Sequence, residues 1–118
     1  MTLPSNIDSE VRKLCEAMNA LPGIETIESC CGHGARPLKV WFYATSLKAL
    51  PRLIYYLSSC HSGAVGWTCK AITDCGMSPV KFLVESGDMG QLAYNEARTI
   101  AALLRREVRR AKADVGKG

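Results

Sequence analysis

Apolar residues recur at Ile7, Val11, Leu14, Cys15 and Met18, a spacing that lines one face of a helix. Ser5 and Asp8 are placed like a capping box at its start, and Pro22-Gly23 closes it. The run "IETIES" over 24–29 is rich in β-branched residues. In "LKVWFY", Leu38, Val40 and Phe42 alternate with Lys39, Trp41 and Tyr43, the period of a strand with one buried face. These two runs are expected to pair as an antiparallel hairpin. Ser46 then caps a second helix with apolar positions Leu47, Leu50, Ile54 and Leu57, widened by Leu53. Pro51 lacks the amide that a helix interior needs, so the regular helix is expected to begin near Pro51 itself. Two more strands follow over 65–73 and 79–86, the second with Val80, Phe82 and Val84 on one face. A last helix over 89–112 carries Ala93, Ala97, Ile100, Leu104, Val108 and Ala111 as its inner stripe.

The order αββαββα predicts an α+β fold, a two-layer domain in which helices pack on a four-stranded antiparallel sheet. The 118 residues fit one domain, 1–118, ending in a basic helix end and tail over 105–118. If strand one rises, strand two descends, helix two climbs back and strand three descends. With short connections, Cys30, Cys31 and His33 then share one end of the sheet with Cys60 and His61, and Cys75 lies at the other.

Composition narrows the setting. The chain is 47% apolar and 22% charged, the balance of a globular protein. No charged segment followed by an apolar run opens it, and nothing approaches the roughly 20 apolar residues of a membrane span. A cytoplasmic location is expected, and with it free thiols rather than disulfides for the six cysteines. The net charge of +4 sits entirely in the tail: residues 1–104 balance nine basic against nine acidic side chains, and 105–118 hold six basic and two acidic. Arg105, Arg106, Arg109 and Arg110 favour the C-terminal end of a helix dipole and could also contact RNA phosphates.

The stretch "SCCGHG" concentrates the reactive side chains, and "CHSG" joins it at the same end of the sheet. Two thiols and two imidazoles are zinc ligand types, although no Cys-x-x-Cys knuckle is present. One thiol with His33 or His61 as base, and Glu28 as an orienting acid, would make a nucleophile. Gly32 and Gly34 allow successive amides to face an anion, with Arg36 and His33 adding donors. The bland alternative is a hairpin loop whose glycines turn the chain and whose cysteines fill space. The concentration favours a small binding domain for an anionic or nucleotide-like ligand held by Ser29, Cys30, Cys31, Gly32, His33, Gly34, Arg36, Cys60 and His61. No catalytic residue is assigned.

With "ESCCGHG" followed by "SPVKFLVES" and a long helix, the sequence resembles the third-step methyltransferases of wybutosine synthesis, which methylate a modified guanosine in phenylalanine tRNA. Ser29, Cys30 or Cys31, and Gly32 correspond to that family's Ser-Ser-Cys-x-Gly-Arg loop, and His33 stands where the family has Arg. The resemblance implies S-adenosylmethionine as cofactor and RNA as substrate. In size the chain is more similar to small bacterial and phage proteins with a Cys-Cys-Gly-His loop. A zinc-stabilised adaptor is the third expectation.

Overall fold

A computed structural model describes residues 9–59, 66–72 and 80–117, apart from the side chains of 10 and 111–117. Helix α1 spans Ser9–Asn19, strand β1 Ile24–Cys30, β2 Pro37–Ala44, helix α2 Leu50–Ser59, β3 Thr68–Ile72, β4 Val80–Met89 and helix α3 Gln91–Lys117. The strands form a four-stranded sheet in the order β1-β2-β4-β3 with every pairing antiparallel. This is the two-layer α+β architecture that the sequence predicts. The α2 crossover carries β3 past β2 to the far side of β4, so β3 runs in the same direction as β2.

The period-2 pattern of β2 sets the layers. Leu38, Val40, Phe42 and Ala44 are buried against the helices, and Lys39, Trp41 and Tyr43 on the opposite face are half-buried. Phe42 pairs in register with Phe82, and their rings stack with centroids 5.3 Å apart. From α1 the core takes Val11, Leu14, Cys15 and Met18, and from α3 it takes Ala93, Ala97, Ile100 and Leu104, as their spacing predicts. Val108 is only partly buried, and Ile7 and the side chain of Ala111 lie outside the described residues.

The second helix departs from the expected stripe. It begins at Leu50 with Pro51 in its first turn, where the missing amide costs nothing. Leu47 therefore precedes the helix and is 58% exposed, while Ile54 turns outward at 42%. The buried positions are Ala49, Leu53 and Leu57, four residues apart. Strand β3 starts at Thr68 rather than 65, because Trp67 leaves the sheet and buries its indole, which donates to Glu96 Oε1 at 2.8 Å. Met89 ends β4 instead of opening α3.

Two irregularities bend the sheet. Ile27 is the extra residue of a β1 bulge, where the Thr26 amide donates to Asn19 Oδ1 at 2.8 Å. In β4 the register shifts opposite Pro37–Lys39, and the buried Ser86 hydroxyl accepts from the Leu38 amide at 2.9 Å. That hydroxyl supplies the partner that the ladder loses at the shift.

Candidate functional site

Strand β1 ends at Cys30, and the chain turns through a short 3-10 segment at Gly32–Gly34 before entering β2. Gly32, His33 and Gly34 all take positive φ, at 77°, 53° and 81°. The two glycines accept this conformation freely, whereas His33 is held there against its side chain. Cys31 holds it: its thiol sulfur receives the His33 amide at 3.4 Å and lies 3.6 Å from His33 Nδ1.

The predicted site residues separate in space. Cys30 lies opposite Lys39 on the open face of the sheet, and its sulfur receives the Gly32 amide at 3.4 Å. Cys31 is only 5% exposed and turns into the domain. Ser29 faces inward and hydrogen-bonds the Cys15 thiol, whose pKa is nonetheless raised because burial outweighs that bond. His33, Gly34 and Arg36 are exposed at the loop tip. Cys60 and His61 lie outside the described residues. Among the described residues, no three His, Cys, Asp or Glu side chains are grouped as a metal ion requires.

Four of the loop's amides are spent internally. Those of Gly32 and His33 point at sulfurs, and those of Ala35 and Arg36 donate to the Gly32 carbonyl at 3.0 and 3.1 Å. The exposed His33 and Arg36 side chains add donors that an anion could use. The Cys31–His33 contact has the composition of a nucleophile and its base. Burial closes that thiol to a bulky substrate.

Sequence reasoning missed the neighbouring cleft. The Cys31 carbonyl accepts from the Tyr94 hydroxyl at 3.2 Å, and Tyr94 lines a cleft of about 310 Å³ with Ser9, Lys13, Gln91 and Arg98. Ser9 and Lys13 belong to the start of α1; Gln91, Tyr94 and Arg98 belong to the start of α3. Further along, Arg105 of α3 meets Glu16 of α1 at 2.8 Å, so the two helices run side by side in the same direction. Both begin at the loop end of the sheet. Arg98 hydrogen-bonds the neutral Asn95 side chain at 3.0 Å, and neither Lys13 nor Arg98 joins an ion pair among the described residues. In the basic tail, Arg105 is committed to Glu16, while Arg106, Arg109 and Arg110 are exposed along α3.

No family model, curated protein or solved structure matches this chain. Among the described residues, no helix is long and apolar enough to cross a membrane.

The cysteine pair gives an immediate test. In the native protein, iodoacetamide should modify Cys30 several-fold faster than Cys31, because the first is half-buried on an open face and the second faces inward. Peptide mass spectrometry over a time course separates the two sites. Equal rates would mean that the loop opens as readily as Cys30 is reached.

Proposed function

We propose that this protein is a small cytoplasmic binding domain for an anionic, nucleotide-like ligand, held at the end of the sheet where the loop, α1 and α3 meet. The observation that carries this reading is the cleft between the two helix starts, with Lys13 and Arg98 both lining it. Two cations lining one cleft favour a bound negative charge, and Ser9, Gln91 and Tyr94 offer polar contacts beside them. The cleft volume is at the lower end of the range for small-molecule sites, which suits a phosphate-bearing ligand of nucleotide size or smaller. Tyr94 joins the cleft to the Cys31 loop, which carries the exposed His33 and Arg36.

The test is a thermal-shift series with inorganic phosphate, adenosine monophosphate and S-adenosylmethionine. A ligand at a hundred times its Kd adds about 2.7 kcal/mol of stability. Binding should weaken as salt rises, and Arg98→Ala should reduce affinity roughly tenfold or more, as expected for losing a charge-assisted hydrogen bond. Stabilisation that Arg98→Ala and Lys13→Ala leave unchanged would remove the cleft from the reading. A response to S-adenosylmethionine alone would favour the methyltransferase-like alternative.

A further inference from the structure

The second face of the sheet is independent of that cleft. The three helices lie on the face that carries Phe42, and the opposite face presents a different set of side chains row by row. The register places Glu28, Trp41, Leu83 and Lys70 in one row across β1, β2, β4 and β3. In the row beside it toward the loop, Lys39 stands next to Glu85, and in the row on the other side Tyr43 stands next to Lys81. Trp41 and Tyr43 are half-buried, Glu28 and Lys70 are exposed, and Leu83 between them is 7% exposed. The centre is thus aromatic and apolar, with an acidic edge on β1 and a basic edge on β3.

We propose that this face is a self-complementary interface for a second copy of the same chain. Sheets that pack face to face keep their strands roughly aligned, about 10 Å apart. A two-fold axis lying between two such sheets and along their strands sets β1 of one copy over β3 of the other, and β2 over β4. In the central row, Glu28 then faces the second copy's Lys70, and the half-buried Trp41 of each copy lies over β4 of the other. Lys39 and Glu85, ion-paired within each copy at 3.6 Å, face the opposite charges of the second copy's pair, and Tyr43 meets its Lys81, a cation over an aromatic ring. Every one of these contacts occurs twice, as a two-fold interface demands. A two-fold axis across the strands would instead set β1 on β1, opposing Glu28 to Glu28.

The same charges argue against a nucleic-acid partner here. Lys39, Lys70 and Lys81 are matched on this face by Glu25, Glu28 and Glu85, so it offers no net positive charge to a phosphate backbone. Four short strands give an interface at the small end of the stable range, and the dimer should therefore be concentration-dependent.

Sedimentation velocity across the micromolar range, with Glu28→Lys and Lys70→Glu variants, tests the proposal. The unaltered protein should dimerise, and each reversal should weaken the dimer roughly tenfold or more by opposing like charges twice. Mixing the two variants in equal amounts should restore association. In the mixed dimer the two reversed positions meet each other, and the untouched Glu28 and Lys70 meet at the second contact. A protein that stays monomeric throughout, a dimer indifferent to both reversals, or variants that stay apart on mixing would each overturn the proposal. So would saturable binding of a single-stranded oligouridine that quenches Trp41 and is lost in Lys70→Glu.

Discussion

Phe42→Ala is expected to bring the protein close to its unfolding limit. The ring is fully buried at the centre of β2 and stacks on Phe82, with neighbours from both layers around it. Removing such a side chain costs about 3–5 kcal/mol, because the lost transfer energy is joined by that of a cavity the close-packed core cannot close. A domain of this size holds only about 5–15 kcal/mol in all. Phe42→Leu keeps most of the volume and should cost much less, about 1–2 kcal/mol. Urea unfolding followed by circular dichroism distinguishes them: the midpoint should drop sharply for alanine and modestly for leucine. Equal, small losses for both would mean that the Phe42–Phe82 stack is not the centre of the core.

That core was readable because strand patterning is local. In β2, strict alternation from Leu38 to Tyr43 identifies the buried face without any knowledge of the partner strands, and Pro51 marks where α2 can begin. The missing pieces depend on tertiary structure. The buried stripe of α2 is set by tertiary packing: Leu53 and Leu57 are buried as expected, while Leu47, ahead of the helix, and Ile54 face outward and Ala49 is buried instead. Trp67 reads as a strand residue from its β propensity, yet a hydrogen bond to Glu96, 29 positions away, takes it out of the sheet.

The candidate site divides in the same way. The chemistry of "SCCGHG" was visible, but which amides point where was not, because a positive-φ turn can direct them at an anion or at its own sulfurs. Nothing in the sequence around Lys13 or Arg98 marks either as a site residue. Their convergence follows from topology: a helix that precedes a rising strand and a helix that follows one both start at the same end of the sheet. Combining that rule with the rising course of β1 and β4 would have found the cleft.

Gly23 and Gly34 occupy opposite ends of β1 and its loop, and alanine at each should separate fold from site. Both have positive φ, at 80° and 81°, so each substitution carries about 1–2 kcal/mol of backbone strain. At Gly34 a Cβ would meet nothing within 4 Å, and the stability loss should stop there. At Gly23 it would stand 2.7 Å from Ser46 Cβ and 2.9 Å from the Ser46 amide nitrogen, so the backbone has to move. That movement pulls on the Thr45 amide, which donates to the Gly23 carbonyl at 2.8 Å and ties the start of β1 to the end of β2. Gly23→Ala should therefore cost about 2–4 kcal/mol, strain and a weakened hydrogen bond together. Ligand affinity should follow the reverse order. Gly34 lies between His33 and Arg36, so Gly34→Ala redirects the exposed loop side chains and should weaken the binding of whichever anion the thermal-shift series identifies. Gly23→Ala lies at the far end of the sheet and should leave the affinity of the folded molecules unchanged. Calorimetric titration below each variant's unfolding transition reads both, and a Gly23→Ala protein that loses affinity while Gly34→Ala keeps it would place the ligand away from the loop.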